Sequence, residues 1–341
     1  MSSVASAIGA ATGRPRVGLI GVGWIGANRL KALAAARTTQ IVCIADRSRE
    51  AAERAARENA PGARVTESLR ELLEQNLDGL VIATPSAQHA GQAEAALEQG
   101  IAVFCQKPLA CTSGEARRVI EAARRYDRLL SVDFCYRTLA GVPEMARLVR
   151  NGDLGEIYAA DLVFHNAYGP DKPWFYELSQ SGGGCVMDLG IHLIDLLLWV
   201  LAYPPVEAVR SRLHCGGRLL PTRPCELEDH AVAEIQFASG TTARIACSWG
   251  LPAGRDAVIE AAFYGTRGAA TLRNVDGSFY DFVVEHCVGT SRRTLAQGPD
   301  AWGGRMVCSW AEALETDRSF DPAAERLHQV ATLVDAVYGR A

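Results

Sequence analysis

VGLIGVGWIGANRL, residues 17–30, decides how this chain is read: an apolar run enters a glycine-punctuated turn, leaves as a helix, and Asp46 closes the next apolar run. Gly21 permits the tight turn, Gly23 lets backbone approach a pyrophosphate, and Gly26 allows the helix to lie close on the strand. Val22, Trp24 and Ile25 fill the turn and the first helical positions, where free amides favour anionic phosphates. A GxGxxG alone is a weak signal. With a strand before it, a helix after it and an acid about 20 positions on, it reads as a dinucleotide site rather than an empty βα turn. Asp46 suits the ribose hydroxyls of NAD and repels a 2′-phosphate; Arg47, Ser48 and Arg49 offer charge and hydrogen bonds to that phosphate, so NADP stays open.

Outward from this motif, 16–135 alternates short apolar runs (VGLIG, IVCIAD, GLVIAT, AVFCQ, LLSVDF) with helical patterns over 24–36, 48–58, 66–75, 87–99 and 113–126. Apolar runs without strict alternation are covered on both faces, so an N-terminal doubly wound parallel sheet of the Rossmann type is expected over 14–135. Ligands sit at the carboxyl ends of such strands. Thr84, Pro85, Ser86 and His89 follow the fourth run, and Gln106, Lys107 and Pro108 the fifth, so these residues are expected to face the cofactor.

After about residue 150 the pattern changes. Strand patterns at 157–166, 206–213, 230–237, 241–248, 256–264, 268–273 and 279–285 have no helices between most of them. This predicts, over 136–341, an α+β domain on a large open, mostly antiparallel sheet, with helices near 186–201, 304–315 and 322–338. Residues 1–13 are small and polar, and read as a disordered leader rather than a secretory signal.

Composition narrows the function classes. The chain has 341 residues, 48% hydrophobic and 22% charged, with net charge −4, so it lacks the basic field that nucleic acid requires. The longest uncharged apolar stretch, 196–206, is too short for a bilayer, so no membrane partner is expected. Ten scattered cysteines without a CxxC pair fit reduced thiols in a cytoplasm, and no metal-ligand spacing is present.

The stretch SGGGCVMDLGIHLIDLLLWVL, 181–201, carries the second anchor. Asp188 and His192 stand four apart at a helix start, hence on one face and one turn apart. A histidine titrating near neutrality can take a hydroxyl proton, and a carboxylate beside it can fix its tautomer. Lys107, at the edge of the sheet, suits proton transfer or the polarising of a carbonyl. Trp174 and Phe175 read equally as core or as an apolar wall for a ring, and His230, after Glu226, Glu228 and Asp229, as a solvated strand entry.

With these residues in view the chain resembles the Gfo/Idh/MocA oxidoreductases over nearly its full length. The likeness rests on GVGWIG (21–26), TPSAQH (84–89), QKP (106–108), Tyr136 with Arg137, GDLGEI (152–157), KPWF (172–175), GGG followed by DLGIH (182–192) and CSWG (247–250). The resemblance implies NAD (or NADP) on the first domain and an open sheet that builds homodimers or homotetramers. It also implies Lys107, Asp188 and His192 as the catalytic group, which also binds substrate, with Arg137 and Trp174 as further substrate contacts. The implied activity is hydride transfer between nicotinamide and a secondary alcohol of a sugar, cyclitol or sugar derivative. Two alternatives are a redox-neutral, NAD-dependent glycoside-cleaving enzyme and a silent sensor of NAD or sugar. Two departures stand out: Gln106 replaces the family's usual glutamate and cannot lend Lys107 a negative charge, and Cys135 replaces a common asparagine. Cys105, Cys135 and Cys185 are expected near the site as packing residues.

Overall fold

The computed structural model describes residues 13–222 and 224–340; the leader expected over 1–13 falls almost wholly outside them. The first unit runs β1 (Arg16–Ile20), α1 (Trp24–Ala36), β2 (Gln40–Ala45), α2 (Arg49–Asn59), β3 (Arg64–Thr66), α3 (Leu69–Leu73), β4 (Gly79–Ile82), α4 (Ser86–Glu98), β5 (Ala102–Cys105), α5 (Ser113–Arg125) and β6 (Leu130–Val132). Its six strands pair in the order β3-β2-β1-β4-β5-β6, all parallel, as the uninterrupted apolar runs require. The direction of winding reverses between β1 and β4, which opens a crevice above their carboxyl ends. Helices start where side chains satisfy free amides: Ser48 caps α2, and Thr112 with Glu115 forms a capping box on α5.

The second unit adds α6 (Val142–Arg150), β7 (Ile157–Asn166), α7 (Leu178–Ser181), α8 (Ile191–Val200), β8 (Val206–Cys215), β9 (Arg218–Leu219), β10 (His230–Phe237), β11 (Thr242–Ser248), β12 (Ala257–Gly265), β13 (Ala269–Asn274), β14 (Asp281–Val288), β15 (Ser291–Pro299), α9 (Arg305–Thr316) and α10 (Arg326–Val337). Nine strands form one sheet in the order β15-β14-β13-β12-β7-β11-β10-β8-β9. It is antiparallel except where β7 meets β11. Alternate residues such as Leu162, Ile235, Ile245 and Phe263 turn inward under α8, while Asp161, Glu234 and Arg244 stay on the open face.

Helix α9 returns to the first sheet. Its Val307, Trp310, Ala311 and Leu314 pack with Val17, Leu19, Ile44 and Phe104, and Gly79 leaves the space that the Trp310 ring fills. Helix α9 thus ties the second unit back onto the first sheet, and the cleft is lined from both units.

Against the expectation of no such segment, the helical stretch Leu178–Val200 is long and apolar enough by composition to cross a membrane, but 89% of its most apolar window is buried inside the protein. It forms the core under the second sheet.

Candidate active site

The glycine-rich turn has the shape its sequence implies. Gly21 takes φ +90°, and a Cβ on Gly26 would run into the Gly21 carbonyl oxygen. Gly23 differs: a Cβ there would meet nothing within 4 Å, so its face of the turn opens into the crevice. Helix α1 begins at that point with no side-chain cap and no acid in its first turn, so its amides remain available to an anion. Asp46 Oδ2 accepts from Val22 N at 2.8 Å and Oδ1 from Ser48 N at 2.9 Å, which fixes the carboxylate at the end of β2.

A cleft of about 820 Å³ runs from this turn to the second sheet. Its walls include Gly21, Gly23, Trp24, Ile25, Asp46, Arg47, Thr84, Pro85, Ser86, His89, Gln106, Lys107, Trp174, Asp188 and His192. Val22 and Gly26 support the turn from behind. Arg137 is not brought to the cleft, against expectation: its guanidinium is paired with both oxygens of buried Asp195 and donates to Tyr203 Oη at 2.7 Å. It braces α8 from the side away from the site. His89 also braces, its ring spanning the carbonyls of Pro108 (2.6 Å) and Thr84 (2.8 Å).

At the far end Lys107, Asp188 and His192 come together across 81 and more residues of sequence, but not with the expected bonding. Lys107 Nζ donates to Asp188 Oδ1 at 2.7 Å and to the Asp188 carbonyl at 2.6 Å. The other carboxylate oxygen accepts from Trp249 Nε1 at 3.1 Å, so Asp188 is spent on the lysine and an indole rather than on the histidine. The reason is local: Val186–Gly190 is a π turn, which breaks the 3.6-residue spacing behind the expectation of a shared face. Trp249, in CSWG, is thus a site residue that no reading of the sequence assigned; the motif was its only signal.

His192 is buried against Tyr136 (5.1 Å between ring centroids) and Phe164 (6.4 Å), and its Nδ1 has no partner among the described residues. Burial first, then the charges of Lys107 and Arg29, hold its pKa well below the usual imidazole value rather than near neutrality. The ring is neutral at physiological pH. With Nδ1 sealed, Nε2 is the nitrogen left to meet a ligand.

Glu228 holds the start of this helical segment. Its carboxylate accepts from Gly184 N (3.1 Å), Val186 N (2.8 Å) and Tyr338 Oη (2.7 Å). A Cβ at Gly183 or Gly184 would collide with Tyr338 or the Glu228 carbonyl, so both glycines are needed for this close packing. His230 opens β10 as expected and is half-buried rather than fully solvated, stacking on His165 at 6.0 Å and meeting His214 at 5.6 Å.

Gln106 does not stand apart from negative charge. Its Nε2 donates to Asp133 Oδ2 at 2.5 Å, and Arg29 Nε binds the same oxygen. All three residues are buried on the cleft wall. The carboxylate absent from position 106 is supplied from the end of the neighbouring strand, with a buried arginine to balance it. Burial pushes the thiols of Cys105 and Cys135 well up, so these neighbours are inert packing groups at neutral pH.

Comparison with known proteins agrees with this geometry. Residues 15–134 match the oxidoreductase family with NAD-binding Rossmann fold, and 142–271 match the GFO/IDH/MocA C-terminal domain. An inositol 2-dehydrogenase 3 of Saccharopolyspora erythraea is 34% identical over 85% of this chain and 88% of its own. A D-glucoside 3-dehydrogenase of Escherichia coli (strain K12) is 29% identical over 59% of this chain, which spans 60% of that protein. Levoglucosan dehydrogenase in complex with NADH and levoglucosan superposes with TM-score 0.80 at 24% identity, covering 96% of this chain and 97% of its own, a likeness of fold. The chain belongs to the Gfo/Idh/MocA family of oxidoreductases.

Proposed function

We propose that this oxidoreductase moves a hydride between NAD and a secondary alcohol of a sugar or cyclitol, with His192, Lys107 and Asp188 managing the proton. The observation that carries the reading is the convergence of a neutral buried imidazole, a lysine clamped by a carboxylate, and the open face of the Gly23 turn in one cleft. The residues fit the dinucleotide: the α1 amides would hold its phosphates and Asp46 its adenine-side ribose, which would also favour NAD over NADP. When bound, nicotinamide supplies the hydride acceptor or donor.

The chain's own groups do the rest. Lys107 spends two of its three N–H donors on Asp188, leaving one for the reacting oxygen. His192 takes the hydroxyl proton on Nε2 in the tautomer whose hydrogen sits on Nδ1, and its lowered pKa keeps the ring neutral beforehand. Asp188 positions the lysine, and Trp249 positions Asp188. Trp174, stacked on Phe175 with centroids 3.8 Å apart, walls the substrate side. The same reading makes the protein a cytoplasmic homodimer or homotetramer joined through the open face of the nine-stranded sheet; sedimentation of the purified protein tests the assembly.

Absorbance at 340 nm with NAD or NADP and a panel of inositols, aldoses and glycosides tests the activity. A rise that His192→Ala abolishes supports it. Cleavage of a glycoside with no net NADH would favour the redox-neutral alternative, and no turnover of any kind the sensor.

A further inference from the structure

We propose that the substrate is an uncharged carbohydrate, one that carries no phosphate, carboxylate or nucleotide. The proposal rests on the carbohydrate reading above and on the charge balance of the reaction half of the cleft. Four cations line the cleft among the described residues: Arg29, Arg47, Lys107 and Lys172. Arg29 is bound by Asp133 at 2.5 Å, with side chains 2% and 1% exposed. Lys107 is bound by Asp188 at 2.7 Å, with 17% and 16% exposed. Lys172, at the mouth, is 3.1 Å from its neighbour Asp171, but with side chains 52% and 81% exposed this pair is solvated and supplies no buried charge. Arg47 stands beside Asp46 at the end of β2, three strands from β5 and Lys107, on the adenine side. Each cation near the reacting groups therefore has its own carboxylate, and the sum of charge there is zero.

A phosphate dianion placed in this half would enter a partly dry cleft with no free counter-charge, and a buried unpaired anion is strongly disfavoured.

What the cleft does leave unpartnered suits hydroxyl groups. Among the described residues Asn166 Oδ1 is buried without a partner in the cleft wall, and the neutral imidazole of His192 lines the same cleft. An amide and a neutral imidazole bond well to hydroxyls and give nothing special to an anion. The remaining walls are aromatic plates: the Trp174–Phe175 stack, and Trp302 stacked on Tyr136 at 6.0 Å. Such surfaces take the C–H faces of a ring while a few polar groups fix its orientation.

The test uses a neutral compound against its anionic derivative: methyl β-glucoside against its 6-phosphate, myo-inositol against inositol 1-phosphate, and glucose against glucuronate, which sets the carboxylate apart from added bulk. Calorimetric affinity for the full-length protein saturated with NADH is measured alongside kcat/KM with NAD. The neutral member of a recognised pair is expected to be favoured by at least ~100-fold, the scale set by leaving a buried charge unpaired. A charged member bound or turned over within tenfold of its neutral partner overturns the inference and leaves the carbohydrate dehydrogenase reading standing. If no carbohydrate of either kind binds while a non-carbohydrate alcohol is oxidised, the reading itself falls and takes this inference with it.

Discussion

Gln106→Glu restores the residue usual in the family, and the structure predicts that it harms this protein. The new carboxylate would replace an amide that donates to Asp133 Oδ2, and would place two carboxylates on one Arg29 in a buried wall. One of them must then hold a proton. Keeping a glutamate of ordinary pKa about 4.3 protonated at pH 7 costs about 3.7 kcal/mol. The lost amide bond and the new carboxyl-to-carboxylate bond roughly cancel, at about 1.5–3 kcal/mol each. Local relaxation trims the sum, so a loss of about 2–4 kcal/mol is expected at pH 7. The sign follows from a folded pKa raised above the unfolded one. The variant matches the parent below about pH 4.3 and falls behind by about 1.4 kcal/mol per unit as pH rises. Thermal melts at pH 5 and pH 7 measure this directly. At about 2 °C per kcal/mol for a chain of this size, the Tm deficit grows from about 2 °C to about 4–8 °C. Adding Asp133→Asn should recover at least half of the pH 7 deficit, because the introduced glutamate would then be the single carboxylate facing Arg29. An equal deficit at both pH values, or a double variant no better than the sum of its parts, would refute the argument.

Further outcomes follow from the same geometry. Gly23→Ala is expected to fold with an unchanged Tm and bind NADH at least ~10-fold more weakly, whereas Gly26→Ala, whose Cβ has no room, should lower the Tm itself; NADH titration and melting separate them. Asp46→Ser should lower kcat/KM with NAD by ~10-fold or more and raise it with NADP, measured with both cofactors. His165, pushed down to about 4 by burial and by His230, contributes stability that is present above pH 6.5 and lost as pH falls toward 4. At face value that is about 3 kcal/mol, reduced to about 1–2 for its partial exposure, and His165→Gln should flatten the acid limb of the Tm–pH curve by that amount.

The first unit was legible because parallel strands buried on both faces read as unbroken apolar runs and because its turn chemistry is rigidly tied to glycine. The strand Arg64–Thr66 escaped, being three residues at the sheet's edge with a polar residue at each end. Ser291–Pro299 was missed for a similar reason: an edge strand of mostly exposed, charged and polar residues carries no hydrophobic period. Helix Val142–Arg150 hid behind a Gly-Val-Pro start that reads as a turn, although proline is well placed in a first turn.

In the site, local motifs placed Lys107, Asp188 and His192 at the cleft but not how they bond, since a π turn leaves no simple mark in composition. Arg29 and Asp133 are 104 positions apart, and only their pairing explains an arginine on the inner face of α1 and an aspartate closing β6. Arg137 went the other way: a motif residue that looked like a substrate contact is consumed by Asp195, a partner no local pattern names.

The most direct test of the account is a single turnover with a neutral sugar or cyclitol deuterated at the reacting carbon, followed by NMR of the recovered cofactor. Deuterium at nicotinamide C4 with the parent protein, reduced by about 10²–10⁴ in rate in His192→Ala while NADH affinity is kept, is the predicted result. Transfer that proceeds at the parent rate without His192, or substrate conversion with no deuterium on the cofactor, would contradict it.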